Sequence, residues 1–548
     1  RSNSDFKDTE QNTRVVSQED IMFLNKLGEN IRMNQDSHLE MPLAFKKRPC
    51  LPDNEPHAVM RLQHLKRRLM KDQEYREHYV KFMEEVTEKG DAEEVIDEGR
   101  EGEKWYIPHH GVYHSKKPGK LHMVFDCSAR YKGTSVNDHL LTGPDLMNGL
   151  TGILLQFRQY PVALMCDTEW MFHQFHVDEA DRDYLPWWRN GDFDSALNIP
   201  HERTSVWYII VPRMLAREAR QLCALGGLRL HKFVSNDKAV LEKIPPSECA
   251  VNITAVDLSL TDQPLERALG IYWHLEHDNF KFCVIGKVQP ATRKSILSTV
   301  ASLFDPLGFL APFLLKGKTV LQEMCRNGMG WDDPLPDGLQ PGWEHWKADL
   351  ANLEKIEVPR CIVPAGFWRI TKREIHSFSD ASMRGYGQCS YLRLENEQGD
   401  VHCSLLMAKS RVAPLKVTTI PRLELTAAVV SVAVNDMLKE EMNLADAEAY
   451  FWTDSQVVFG YINNEARHFH TFVANQVQRI HRTTTPQQWR YIPLDENPAD
   501  YASQGLSVND LVTSSWFRGP KVLWERQIPP PMDVNTQLPT GDPEVKKA

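Results

Sequence analysis

The stretch IHSFSDAS, Ile375 to Ser382, decides the fold of the C-terminal region. It reads as a β-strand that breaks over Ala381 to Gly385, leaving Asp380 at its end, where a carboxylate projects from a sheet edge. Downstream, Tyr386 to Leu394 and Val401 to Lys409 alternate apolar and polar residues, and pair across a turn at Asn396 to Gly399. Pro421 is a favourable first-turn residue, and RLELTAAVVSVAVNDMLKEEM after it reads as a long helix burying Leu425, Val429, Val432 and Leu438, with Glu424 in its first turn. AEAYFWTDS then brings Asp454 to the end of another strand, and QVVFGYINN is the helix that follows. A basic helix over Phe472 to Arg482 precedes the strand QQWRYIPL, and NPAD puts Asp500 at the start of a final helix.

Four carboxylates thus stand 44, 30 and 46 residues apart, each at a strand end or a helix start. Taken singly, each reads as a surface acid or a cap; Asp454-Ser455, for instance, suits a helix N-cap. Taken together, the motifs SDAS, PRLEL, WTDS and NPAD resemble a ribonuclease H domain in order and in setting. The resemblance implies a mixed five-stranded sheet with flanking helices, and Asp380, Glu424, Asp454 and Asp500 as the catalytic and metal-holding set. Two Mg²⁺ ions, or Mn²⁺, need several anionic oxygens converging on them. The implied substrate is the RNA strand of an RNA–DNA hybrid, recognised through its 2′-hydroxyls. Arg479, Arg482 and Arg490 are the nucleic-acid-binding candidates, for phosphate contacts, and equally suit a solvated helix face. Gln504 stands where the family usually carries arginine. An integrase-like nuclease shares the fold but expects Asp, Asp, Glu, whereas this chain reads Asp, Glu, Asp, Asp.

At 548 residues the chain is too long for a single core and suggests about three or four units. Hydrophobic content of 42% with 25% charged residues belongs to a globular protein. The net charge of −10 is not that of a generic polyanion binder, so nucleic-acid binding needs local basic patches. Such runs occur at Lys46 to Arg48, Lys66 to Arg68 and Lys116 to Lys120, each of which alone reads as a solvated face. Ten cysteines without a CxxC or a zinc spacing read as reduced thiols in an intracellular compartment, cytoplasmic or nuclear. No apolar run suggests a membrane span, so no membrane partner is expected. The first residue is Arg1 rather than Met, as in a piece of a longer polyprotein, whose other products are potential partners.

Upstream, Ser17 begins a helix whose apolar stripe is Ile21, Leu24 and Leu27. A helix or helix pair over about His57 to Lys89 follows, its packing stripe running through Leu62, Leu65, Leu69, Tyr75, Tyr79, Phe82 and Val86. WYIPHHGVYHSKKPGK, VFDCSARYKGTSVNDHLLTGPDL and MCDTEWMFHQFHV resemble the reverse transcriptase of BEL/Pao-type long-terminal-repeat retrotransposons, and weaker likeness covers most of the chain. By that resemblance Asp167 is the first polymerase carboxylate, Phe172 the aromatic residue that excludes a ribose 2′-hydroxyl, and Lys120 a contact to the incoming triphosphate; His122 replaces the usual arginine.

The family's Tyr-x-Asp-Asp hairpin is missing. HERTSVWYIIVPRMLAREARQLCALGGLRLHKF runs from Thr204 and Val206 almost directly into the helix that should follow it, and Asp332-Asp333 lies in the loop GWDDPLP. One carboxylate cannot hold two metals, so the polymerase is expected to be inactive and Asp167 a relic. No Asp-Thr-Gly or Asp-Ser-Gly suggests an aspartic peptidase.

The expected architecture is multidomain, α+β and α/β: a helical extension over 1–104, partial fingers and palm over 105–290, thumb and connection over 291–370, the ribonuclease H-like domain over 371–510 and a spacer over 511–548. Without its central hairpin, the region from 100 to 290 is expected to pack poorly. The leading reading is a retrotransposon Pol fragment with an RNase H-type hydrolase; the alternative is a non-catalytic relic that binds nucleic acid or serves as a scaffold.

Overall fold

The computed structural model describes residues 17–28, 30–34, 38–89, 92–94, 102, 104–114, 117–144, 149–169, 175–188, 196–198, 216–250, 255–257, 269–284, 290–367, 369–464, 468–528, 538 and 542–546. Helix α1, Gln18–Gly28, opens on a capping box in which the Asp20 amide donates to Ser17 Oγ at 3.1 Å and the Ser17 amide to the Asp20 carboxylate at 2.8 Å. Its apolar stripe does not become core: α1 buries none of its residues, and Ile21 and Leu24 remain about 40% exposed. Periodicity specifies a helix, but it does not supply a partner for its apolar face.

The following stretch is a helix pair, α2 (Glu55–Lys71) and α3 (Gln73–Glu88). They meet at Asp72, whose side chain accepts from the Tyr75 amide and starts α3. Leu62, Leu65 and Leu69 pack with Tyr75, Tyr79, Met83 and Val86. These helices lie against the antiparallel hairpin of β1 (His109–His114) and β2 (Lys117–Phe125). The pairing is stitched by the buried Tyr75 hydroxyl, which receives the Gly111 amide at 2.7 Å.

Helix α4 (Leu150–Phe157) leads into β3 (Leu164–Thr168). After α5 (Ala216–Leu225), strand β4 (Leu230–Ser235) pairs antiparallel with β3, and those two strands make the whole sheet among the described residues. A second sheet joins β5 (Ala255–Asp257), β6 (Leu269–His274), β7 (Asn279–Val284) and β8 (Glu357–Pro359), with a turn through Asp278 between β6 and β7. Between them in sequence run α6 (Arg293–Ser302), α7 (Ala311–Arg326) and α8 (Gln340–Asp349).

The third sheet contains β9 (Ile370–Ala381), β10 (Gly385–Asn396), β11 (Val401–Val412), β12 (Glu448–Thr453) and β13 (Trp489–Tyr491) in the order β11-β10-β9-β12-β13. β9 to β11 form an antiparallel meander, while β12 and β13 add parallel to β9. The accompanying helices are α9 (Ile420–Glu441), α10 (Gln456–Ile462), α11 (Thr471–His481), α12 (Ala499–Gln504) and α13 (Val508–Thr513). The expected five-stranded mixed sheet with flanking helices is therefore present.

Two expectations change. Poor packing from 100 to 290 does not hold for α4, β3, β6 and β7: Leu154, Phe157, Met165, Trp273 and Phe282 share one core with Ile375, Phe378 and Tyr391 of the third sheet. The link is polar as well, since Arg158 donates to the Leu405 carbonyl of β11 at 2.8 Å. The stretch read as a spacer also packs down. Trp516 is fully buried and donates to the Phe309 carbonyl at 2.8 Å, while the Tyr391 hydroxyl donates to the Trp516 carbonyl at 2.7 Å. Among the described residues, no helix is long and apolar enough to cross a membrane.

Candidate active site

Asp380 lies near the end of β9, and Asp454 directly follows β12. The parallel register sets Ser379 beside Thr453, so both acids leave the sheet at the same edge, from strands about 4.8 Å apart. Glu424 reaches this edge from the N-terminal part of α9, where it accepts a hydrogen bond from Ser455 Oγ. The same Ser455 hydroxyl caps α10 by accepting from the Val458 amide at 3.2 Å. Asp500 stands in the first turn of α12, and Ser503, one turn later, donates to Asp380 Oδ2.

Close backbone contact holds α12 in place. A Cβ on Gly387 of β10, the register partner of Asp380, would stand 2.7 Å from Ala502 Cβ and 2.8 Å from the Lys409 carbonyl oxygen. Ser410 and Ser382 donate to the carbonyls of Ala502 and Ser503 at 2.6 and 2.8 Å. Glycine is thus required at 387 for α12 to lie low enough to present Asp500 and Ser503.

Neighbouring acids raise the proton affinity of Asp380, Glu424 and Asp454. Burial pushes Asp454 up to about 7, with the charges of Asp380 and Glu424 adding to it. Burial also raises Asp380, Glu424 and Asp500. The Ser503 hydroxyl opposes this at Asp380, Ser455 at Glu424 and the Gln504 side chain at Asp500. Among the described residues no lysine or arginine ion-pairs with any of the four, and Asp454 Oδ1 is buried without a hydrogen-bond donor.

A buried carboxylate oxygen without a donor, among acids without a basic partner, fits a hard divalent cation, which takes oxygen ligands. The acids do not form a finished cage, since among the described residues no three Asp, Glu, His or Cys side chains are grouped closely enough to hold a metal ion. Two of the carboxylates point instead to their serine donors.

The sequence points to the acids as candidates, notes Gln504 and reads Asp454-Ser455 as an N-cap, but it does not reveal that Ser455 donates to Glu424 or Ser503 to Asp380. Ser455 lies within WTDS and carries a local N-cap signal. Ser503 carried no local signal, because its partner is 123 residues away.

The basic candidates separate. Arg479 and Arg482 are exposed on and just after α11, lining a cavity of about 340 Å³ with Phe472, Asn475, Gln476 and Gln478. Arg490, on β13, is half-buried with its guanidinium 4.7 Å from the centre of the Tyr450 ring. Asp167 lies apart from the four acids, on β3, opposite His231 of β4. Its Oδ2 is 2.8 Å from Lys232 Nζ and 3.5 Å from His231 Nε2. Phe172 and the side chain of Lys120 lie outside the described residues. Asp333 accepts from the Gly330 amide within its own loop.

Residues 292–455 match the family described as Pao retrotransposon-like RNaseH-like domain, a span that takes in Asp380, Glu424 and Asp454 and stops short of Asp500. Similar solved structures include the foamy viral protease-reverse transcriptase dRH in complex with double-stranded DNA, at 12% identity and TM-score 0.44, covering 74% of this chain and 67% of that one. The foamy viral protease-reverse transcriptase in complex with an RNA/DNA hybrid is 11% identical with TM-score 0.44, covering 86% of this chain and 62% of that one, so this chain spans less than two thirds of its length. The same foamy viral protein with double-stranded DNA gives 12% identity, TM-score 0.44 and coverage of 77% and 83%. No curated protein matches the chain. Residues 292–455 are thus similar to the RNaseH-like domain of Pao-type retrotransposons.

Proposed function

We propose that the chain is an RNase H-type endonuclease that cuts the RNA strand of RNA–DNA hybrids, using Asp380, Glu424, Asp454 and Asp500. The observation that carries this reading is the meeting of four acids without a basic partner at one sheet edge, with Asp454 Oδ1 buried and undonated. Two Mg²⁺ ions, or Mn²⁺, would be held by these carboxylates and would supply activation of the attacking water and stabilisation of the leaving 3′-oxygen. Ser503 and Ser455 orient Asp380 and Glu424 through their hydroxyls, while Gln504 does the same for Asp500. Arg479 and Arg482 hold phosphates of the hybrid beside the site. Arg490 backs Tyr450 and Trp452 and completes the basic set.

Residues 105–290 and 291–370 are, in this reading, a partial fingers and palm followed by a thumb and connection, without polymerase activity. Supporting this, Asp167 already has a lysine and a histidine at its carboxylate, and its partner strand β4 carries no carboxylate. Incubation of a labelled RNA–DNA hybrid with the full chain and Mg²⁺ tests the proposal. Cutting by the wild type and its loss in Asp454→Asn is the expected result. Without cutting, or with equal cutting by both, the chain falls back to a nucleic-acid-binding or scaffolding relic.

A further inference from the structure

The exposed side of α2 carries His64, Arg67, Arg68 and Lys71, at positions i, i+3, i+4 and i+7, which share one helical face. The opposite face holds the buried Ala58, Leu62, Leu65 and Leu69, so the basic side is turned to solvent. Like charges at these spacings repel and weaken a helix by a few tenths of a kcal/mol per pair. An ordinary solvated face intersperses acids among its bases, as α3 does with Arg76 beside Glu77 and Lys81 beside Glu84 and Glu85. Among the described residues no carboxylate ion-pairs with Arg67, Arg68 or Lys71 of α2. Asp72 borders the group, but its side chain is engaged by the Tyr75 amide.

The group also has shape. His64, Arg67, Arg68, Lys71 and Asp72 line a cavity of about 320 Å³, and the Arg68 guanidinium is held 3.9 Å from the centre of the Tyr75 ring. Arg68 also acts on the adjoining hairpin: His110 on β1 is shifted down by burial first and then by the charge of Arg61, with Asp126 opposing and Arg68 adding a smaller lowering. In a chain of net charge −10, this concentration of cations without an acidic partner among the described residues calls for an external polyanion.

We propose that this face of α2 is a nucleic-acid backbone site in which His64, Arg67, Arg68 and Lys71 hold phosphodiester groups, separate from the four-acid edge. The stripe is about 10 Å long at 1.5 Å per residue, the axial rise of roughly three phosphates of one strand. Contacts of this kind are independent of base sequence and position the duplex. The site anchors nucleic acid on the helical layer while the RNase H-like region acts elsewhere on the chain.

A short DNA duplex containing no RNA is the probe, so the outcome does not depend on cleavage. Its binding to the full chain is measured over a salt titration, alongside the double variant Arg67→Ala/Lys71→Ala. Both residues are exposed, and thermal melting verifies that the variant is folded. Each phosphate contact contributes about 0.9 to the slope of log affinity against log salt, so the double variant should lower the slope by about 2 and weaken binding tenfold or more. The same shift in an Asp454→Asn background places the contact away from the four acids. Unchanged affinity and slope in the folded double variant, absence of duplex binding by the wild type, or binding only to phosphatidylserine vesicles each overturns the proposal.

Discussion

Ser379 and Thr453 stand side by side in the parallel register of β9 and β12, which brings Asp380 and Asp454 out at the same sheet edge. Their proximity ties the site to pH. The Asp454 carboxyl titrates near 3.8 in an unconstrained chain and at about 7 in the fold. Between those values the native state keeps a proton that the unfolded chain has lost, so this group's contribution to stability falls as pH rises towards 7. A divalent cation needs the deprotonated carboxylate, and its stabilising effect should grow over the same window. Thermal melts with and without MgCl₂ should show a clear upward shift at roughly pH 8 and little at roughly pH 5. In Asp454→Asn the shift at the higher pH should shrink. An equal Mg²⁺ effect at both pH values contradicts the assignment.

Ser503 makes its own prediction. Burial and the charge of Asp500 raise Asp380, while the Ser503 hydroxyl lowers it. Ser503→Ala removes that donor and should shift the acid limb of the cleavage profile to higher pH. A hydrogen bond to a charged group is worth about 1.5–3 kcal/mol, so cleavage at neutral pH should fall about tenfold or more. A pH–rate profile of hybrid cutting reads both effects; a drop in rate with an unmoved acid limb would mean that Ser503 acts only through packing.

Gly387→Ala probes the seating of α12. The new methyl group meets Ala502 Cβ and the Lys409 carbonyl oxygen, neither of which is the end of a flexible side chain. Overpacking of this kind costs about 1–3 kcal/mol, which a urea unfolding curve resolves. Displacement of α12 also moves Asp500 and Ser503, so cleavage should be lost under conditions where the variant is still folded. Activity that falls only in step with the folded fraction would separate the glycine from the site.

Much of this site is legible in the sequence because its signals are local. A strand that breaks after Asp380, a first-turn proline before Glu424 and a strand-to-helix junction at Asp454 need only short-range periods and turn chemistry. The contacts that orient the acids are different, since Ser503 meets Asp380 only when α12 closes onto β10 against Gly387. Long-range packing was equally hidden. The stripe of α1 has the same spacing as that of α2, yet α1 buries nothing while α2 finds α3 and the β1–β2 hairpin. The tryptophans of the tail did not reveal that Trp516 closes the core beside Phe309.

The proposed absence of polymerase activity gives a negative prediction. Asp167 is held by Lys232 at 2.8 Å and faces His231 across the β3–β4 pair. Primer extension on an RNA or a DNA template should therefore give no product with Mg²⁺ or Mn²⁺, and Lys232→Ala should not create any. The lysine is largely exposed, so its removal should change stability by less than about 1 kcal/mol. Nucleotide incorporation by the wild type that Asp167→Asn abolishes would refute the relic reading.

Arg360 joins the β6–β7 turn to α4 and the approach to β3. It is fully buried, and Nε and Nη2 donate to the two oxygens of Asp278 at 2.6 and 2.7 Å. The remaining donors go to the carbonyls of Phe157, Tyr160 and Pro161. One side chain thus binds the β6–β7 turn to the end of α4 and the loop before β3. Arg360→Ala leaves three carbonyls without this donor and Asp278 with only the Trp273 indole N–H, and breaking such a buried pair costs about 3–5 kcal/mol. Because Phe157 and Trp273 share a core with Phe378 and Tyr391, the loss should spread to the third sheet. Urea unfolding should show a lower midpoint, and thermal inactivation of hybrid cleavage should move down with it. If the midpoint falls while cleavage keeps its wild-type thermal profile, the elements around Arg360 and the third sheet unfold separately, and the shared core does not couple them.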